Sequence, residues 1–158
     1  MIHKIGTYYA KKGLELHIKA GVKMHLAHSQ FYKGYTHFKS KDFDAALESM
    51  EKALQTSKLN SETEVEGRIL IGLGEIMAQS GKFRNDDAIK NVQKGIDIVN
   101  DFEMRPVSAQ GYLILGEIYL AEKNESNAIE HLNRTEKMFE DMRMDFWLEK
   151  TQKIRSLI

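Results

Sequence analysis

The sequence has no cysteine and a single proline, and its positive and negative charges balance. The absence of cysteine excludes disulfide bonds, thiolate catalysis and cysteine-based metal sites. Because an interior proline breaks the helical hydrogen-bond ladder, one proline in 158 residues favours long, uninterrupted helices. Lysine and arginine total 23, and aspartate and glutamate also total 23. No net field therefore attracts nucleic acid or anionic lipid, and we expect no nucleic-acid partner.

Long hydrophobic runs are also missing. No stretch approaches about 18 consecutive apolar residues, the length that a membrane-spanning helix requires. The N-terminal residues lack the apolar core of a signal peptide. We therefore expect no membrane partner and a cytoplasmic location. Apolar residues still make up 42% of the chain, so a domain of this length has enough of them to bury a core.

What the sequence does contain is one framework that recurs three times. It consists of a glycine in one helix and, after a polar break, three positions in a second helix. The three copies are Gly34, Ala46, Met50 and Ala53; Gly74, Ala88, Val92 and Gly95; and Gly116, Ala128, Leu132 and Thr135. Successive glycines lie 40 and 42 residues apart, whereas successive alanines lie 42 and 40 residues apart. The second copy therefore carries two extra residues between Gly74 and Ala88.

Small residues at a fixed interval indicate where two helices cross. A glycine or alanine at the crossing lets one backbone lie in the groove of the other, whereas leucine would separate them. Self-similarity at a period of about 20 to 50 residues is typical of solenoids, in which each helix pair buries its apolar face against the next pair. The sequence therefore predicts an all-α solenoid of antiparallel helix pairs.

We predict one domain over residues 1–158 and divide it into a half-repeat and three repeats followed by a cap. The half-repeat helix covers 1–20, the repeats cover 21–60, 61–103 and 104–143, and the capping helix covers 144–158. The half-repeat is inferred from Gly6, Ala10 and Gly13, which precede the second-helix positions of the first repeat by 40 residues. We expect that another element covers this end or that the chain comes from a longer protein.

Four local signals predict helix ends. Asp42 is expected to cap the second helix of the first repeat with its carboxylate. Ser61 and Glu64 have the spacing of a capping box for the next helix. Gly81 lies where a helix C-terminus favours a left-handed residue. Pro106 fits the first turn of a helix, where its missing donor costs nothing.

The third copy resembles the tetratricopeptide repeat. Its segment YLILGEIY, from Tyr112 to Tyr119, precedes Ala128 and Leu132, which matches that family's pattern of aromatic, Leu-Gly, Tyr, Ala and large apolar residues. The second copy matches less fully, and the first departs most in its opening helix. The period of 40 to 42 residues exceeds the common unit of about 34. Units of this length are similar to the C-terminal arrays of bacterial transcription activators and class III nucleotide cyclases.

The resemblance implies a right-handed superhelix whose first helices line a concave groove that binds a partner peptide or helix. The groove positions that it implies are His28, Phe31, Tyr35 and Phe38 in repeat one, Arg68, Ile71 and Glu75 in repeat two, and Gln110, Leu113, Glu117 and Leu120 in repeat three.

An apolar row in this set lies beside two carboxylates. Phe31, Ile71 and Leu113 form the row, and Glu75 and Glu117 follow it. This pattern predicts a partner that carries basic residues next to its apolar anchors. The alternative is that the apolar row packs against neighbouring helices and that both carboxylates are solvated.

We predict a noncatalytic protein–protein interaction module, either free-standing or the regulatory tail of a larger bacterial signalling protein. The alternative is a self-assembly module, in which a second copy covers the apolar edge of the incomplete N-terminal hairpin and gives a homodimer. We predict no catalytic, cofactor-binding or metal-binding residues. The histidines lack an HExxH-like pairing with a base, and a metal site needs three or four converging ligands.

Overall fold

The computed structural model describes residues 2–21 and 25–158 of the chain. Within these ranges the chain forms eight α-helices and no strand. The helices are α1 (Ile2–Lys19), α2 (Leu26–Lys39), α3 (Phe43–Leu59), α4 (Thr63–Ser80), α5 (Asn85–Asp101), α6 (Arg105–Ala121), α7 (Glu125–Asp141) and α8 (Asp145–Arg155). Each helix packs against the next one, so the predicted all-α, solenoid-like array is confirmed. Over the same ranges, no helix has both the length and the apolar character to cross a bilayer.

The helices are organised as stacked hairpins. Contacts are most extensive within the pairs α2/α3, α4/α5 and α6/α7, and they are smaller between successive pairs. The contacts of α1 with α2 and of α8 with α7 belong to the smaller class. Because short turns join the paired helices, each pair is antiparallel.

The array curves with the first helices of the hairpins on its inner side. Helix α2 contacts α4, and α4 contacts α6. In the described part of the chain, no comparable contact joins the second helices α3, α5 and α7 to one another. Helices that approach their second neighbours lie on the inside of a curve, so α2, α4 and α6 form the concave face.

The recurring glycines lie where the two helices of each hairpin cross. A β-carbon on Gly74 would overlap Cγ2 of Val92 and lie 2.7 Å from the carbonyl oxygen of Ala88. The same relation recurs in the other two hairpins, where Gly34 faces Met50 and Ala46, and Gly116 faces Leu132 and Ala128. The three alanines that these glycines face, Ala46, Ala88 and Ala128, are fully buried. The framework found in the sequence is therefore the set of contacts that holds each hairpin together.

Gly13 of α1 is not at such a crossing. A β-carbon on Gly13 would meet nothing within 4 Å. The predicted half-repeat explains this, because the first helix that would cross α1 has no counterpart among the described residues. Gly6 and Ala10, the other two positions of the half-repeat, lie outside the residues whose side chains the structure describes.

A left-handed residue follows every helix from α1 to α7, and these residues recur at a regular interval. They are Gly21, Lys41, Ser61, Gly81, Glu103, Lys123 and Arg143. The spacing is the same throughout the series, except that it is longer by two between Gly81 and Glu103. Helix α5 begins at Asn85, four residues after Gly81, whereas the other helices of the series from α3 onward begin two residues after their left-handed residue. The two extra residues thus lie in the turn where the sequence places them.

Three of the four predicted helix ends are confirmed, and one is wrong. Oδ1 of Asp42 accepts a hydrogen bond from the backbone N–H of Ala45 at 3.3 Å, Gly81 has a φ of 65°, and Pro106 lies in the first turn of α6. Ser61 does not cap α4, because it is itself the left-handed residue, with a φ of 56°. The residue that precedes α4 is Glu62, so the capping-box prediction fails by one position.

Candidate partner-binding groove

A cavity of about 330 Å³ opens on the inner side of the array. Its walls come from α2, α4, α6 and α8. Helix α8 begins one repeat interval after α6, and Trp147 and Lys150 of α8 follow Val107 and Gln110 of α6 by that same interval. The predicted cap therefore continues the series of first helices, and it forms one wall of the cavity.

The cavity brings together eight of the eleven predicted groove residues. These are Phe31, Tyr35, Arg68, Ile71, Glu75, Gln110, Leu113 and Glu117. His28, Phe38 and Leu120 do not line it. Phe38 is buried, and its ring packs against the ring of Phe43 with centroids 6.2 Å apart. As partner-binding positions, all eleven remain predictions.

The apolar row lines the cavity but is almost completely buried. Phe31, Ile71 and Leu113 are 7%, 4% and 2% exposed, respectively. All three belong to the hydrophobic core, so the interpretation that they pack against neighbouring helices is confirmed. A partner can reach only the small part of each side chain that faces the cavity.

Glu75 is buried on the inner face of α4, and the interpretation that it is solvated is wrong. It is 8% exposed. The hydroxyl of Tyr35 donates a hydrogen bond to Oε2 of Glu75 at 3.2 Å, and Nζ of Lys39 lies 3.9 Å from its Oε1. Burial raises the pKa of Glu75, although Lys39 and the hydrogen bond from Tyr35 oppose the shift. Burial and then the nearby carboxylate of Glu75 raise the pKa of Tyr35.

Glu117 has a lysine partner as well. Nζ of Lys150 lies 3.6 Å from Oε1 of Glu117. The lysines are in turn held against aromatic rings, with Nζ of Lys150 5.4 Å from the centroid of Trp147 and Nζ of Lys39 4.8 Å from that of Tyr35. Each carboxylate of the groove is therefore paired with a lysine from a neighbouring first helix.

The groove is consequently not acidic, and the basis for predicting a basic partner is removed. Its lining contains three cationic side chains, those of Lys39, Arg68 and Lys150, and two carboxylates, those of Glu75 and Glu117. Since both carboxylates lie beside lysines, little negative charge is available to a basic residue of a partner.

Seven lining residues are absent from the predicted set, and most of them could have been found from the repeat. They are Tyr32, Lys39, Gly72, Val107, Ile114, Trp147 and Lys150. Tyr32, Gly72 and Ile114 occupy one repeat position, which directly follows the apolar row. Trp147 and Lys150 follow from extending the repeat interval into α8. Lys39 had no repeat signal, but it lies on the same helical face as Phe31, eight residues later.

Comparison with models of protein families found no match to this chain, and comparison with curated proteins found no significant match either. The tetratricopeptide resemblance therefore stays a prediction that depends on the quoted residues. Among the described residues, no group of three or more histidine, aspartate or glutamate side chains is placed to hold a metal ion.

Proposed function

We propose that the chain is a protein–protein interaction module that binds a segment of a partner protein in the groove formed by α2, α4, α6 and α8. The observation that carries the proposal is the composition of the cavity, whose lining combines apolar, aromatic and charged side chains. Anchoring pockets at interfaces combine a desolvated apolar centre with a few polar groups that fix orientation.

The size of the cavity limits what part of the partner enters it. About 330 Å³ is near the lower end of the roughly 300 to 1,000 Å³ that is usual for ligand pockets. One or two partner side chains fit in this volume, and the rest of the segment would lie along the concave face. The resemblance to tetratricopeptide arrays of bacterial regulators supports a regulatory role, in which the groove holds a segment of another signalling protein.

A single substitution that fills the cavity tests this proposal. Gln110 lines the cavity and is half-buried, so Gln110→Trp places a large side chain in the space that a partner would use. Gln93, exposed on α5, offers the matched control Gln93→Trp. We expect peptides selected from a displayed random library on the unmodified chain to bind Gln93→Trp equally and to lose binding to Gln110→Trp. Selected peptides that bind both variants equally would contradict the proposal, as would a failure to select any peptide.

Self-assembly is a second candidate, because α1 exposes several large apolar side chains. Tyr8, Tyr9, Leu16 and Ile18 are each more than half exposed, and large apolar side chains left in contact with solvent favour association. If α1 pairs two copies, the unmodified chain sediments as a dimer, and Tyr9→Glu combined with Leu16→Glu gives a monomer. A monomer for the unmodified chain across the accessible concentration range rules this candidate out.

A further inference from the structure

Arg68 on α4 differs from the other two cations of the groove because its charge is not paired. Lys39 and Lys150 lie beside Glu75 and Glu117. Nε of Arg68 is buried and has no hydrogen-bond partner, and no ion pair joins its guanidinium to a carboxylate in residues 2–21 and 25–158. Arginine keeps its proton at any physiological pH, and a buried donor without an acceptor costs free energy. A carboxylate from outside the chain that paired with the guanidinium from the cavity would offset that cost.

No carboxylate near Arg68 supplies this acceptor. Glu64 lies one helical turn earlier on α4 and is exposed to solvent. The half-buried Glu62 is, like Arg68, close enough to act on the pKa of His28. Neither glutamate forms an ion pair with Arg68. The two carboxylates of the groove are held by lysines. His28 lies close enough for the charge of Arg68 to lower its pKa, in addition to the larger effect of burial, and an imidazole offers Arg68 no negative charge. Arg68 therefore lines the cavity without an ion pair to any of the described carboxylates.

We infer that the partner segment carries an aspartate or glutamate that pairs with Arg68, next to an apolar residue that fills the cavity. Ile71 lies three residues after Arg68, or about 4.5 Å along the axis of α4. The carboxylate and the apolar anchor would thus be neighbours in an extended partner, or three to four residues apart in a helical one. The inference rests on the proposed function and reverses the partner charge that the sequence predicts.

Selected peptides provide the test on the partner side. We expect those that bind the unmodified chain to be enriched in aspartate or glutamate beside an apolar residue. Replacing that acid with its amide should weaken binding by about 10- to 100-fold, as for a hydrogen bond between charged groups. This part of the test uses only the unmodified chain, so misfolding of a variant cannot account for a loss of binding.

Arg68 variants provide the test on the protein side. Arg68→Gln should cause the same loss of affinity as the amide peptide, and the two changes together should lose little more than either one alone, because they remove the same pair. Arg84→Gln, in the exposed turn before α5, is the matched control and should bind as the unmodified chain does. Arg68→Glu should instead select peptides with lysine or arginine next to the apolar anchor.

The outcomes separate this inference from the proposed function. If Gln110→Trp abolishes binding, but the peptides show no acid enrichment or bind Arg68→Gln unchanged, the acidic partner is refuted and groove binding stands. If Gln110→Trp leaves binding intact, both are refuted. If Arg84→Gln weakens the binding of acid-bearing peptides as much as Arg68→Gln does, the effect is one of general charge, and the pairing with Arg68 is also refuted.

Discussion

Replacing Gly74 with alanine tests whether backbone contact at the recurring glycines holds the hairpins together. Two effects oppose each other in this variant. Alanine favours a helix over glycine by about 0.8 to 1.0 kcal/mol. The new β-carbon, however, would overlap Cγ2 of Val92 and lie 2.7 Å from the carbonyl oxygen of Ala88. Since that oxygen belongs to the backbone of α5, the two helices must move apart, and overpacking of this kind costs about 1 to 3 kcal/mol.

We therefore expect Gly74→Ala to lower the free energy of unfolding by up to about 2 kcal/mol. Gly34→Ala has a different balance, because the nearest atoms are Cγ of Met50 at 3.1 Å and the carbonyl oxygen of Ala46 at 3.2 Å. A methionine side chain adjusts readily, so the gain in helix propensity should offset the crowding to within about 0.5 kcal/mol.

Chemical denaturation followed by far-ultraviolet circular dichroism measures the free energies of unfolding. Gly13→Ala is the control for helix propensity alone, because a β-carbon there meets nothing within 4 Å, and it should stabilise the chain by about 0.5 to 1 kcal/mol. The expected order of stability is Gly13→Ala, then Gly34→Ala, then Gly74→Ala. If Gly74→Ala is as stable as Gly13→Ala, then α4 and α5 do not approach at Gly74 and the explanation of the repeat is wrong.

Three further predictions concern single side chains. Burial raises the pKa of Glu75 above its ordinary value of 4.5, so the folded chain binds the proton of this carboxyl more tightly than the unfolded chain does. The free energy of unfolding therefore falls as pH rises from about 4.5 through the folded-state pKa. Glu75→Gln should flatten this part of a plot of unfolding free energy against pH, and an unchanged slope would contradict the prediction. Lys123 has a φ of 59°, so Lys123→Gly should stabilise the chain by about 0.5 to 1 kcal/mol, while Lys123→Ala, which keeps a β-carbon, should give no such gain in the same denaturation assay. Ala128 is fully buried at a helix crossing, so Ala128→Leu should cost about 1 to 3 kcal/mol; the exposed Ala121 gives the control Ala121→Leu, and equal melting temperatures for the two variants would show that the crossing is misplaced.

The crossings were predictable because they depend on a backbone distance that few residue types permit. Only glycine fits at Gly74, where an added β-carbon would meet the backbone of α5, and such a constraint leaves a repeating pattern of small residues. The two extra residues of the second repeat were predictable for the same reason. The recurring glycines lie before each turn and the recurring alanines lie after it, so a change in their spacing locates the insertion between Gly74 and Ala88. The half-repeat was inferred from the same interval and stays a prediction.

The position of the helix caps was harder to predict because the turn geometry is not tied to residue type. Left-handed backbone favours glycine, but only Gly21 and Gly81 of the seven turn residues are glycines, while the others include Ser61 and Glu103. Ser61 has the composition of an N-cap, and nothing in its side chain indicates a left-handed conformation. The regular interval between the turns, rather than the residues in them, carries that information.

The charge of the groove could not be predicted because it depends on pairing between residues far apart in sequence. In the sequence, Glu75 and Glu117 indicate an acidic groove. In the structure, Lys39 and Lys150 lie beside them and offset their charge. Reversing the charge of either glutamate would put a lysine next to a lysine, at Glu75 in a buried site, and the loss of stability would obscure any change in binding. Arg68 has no such partner to lose, so substitution there removes a group that faces the cavity without breaking an internal ion pair. Arg68 is therefore the position at which binding can be separated from folding.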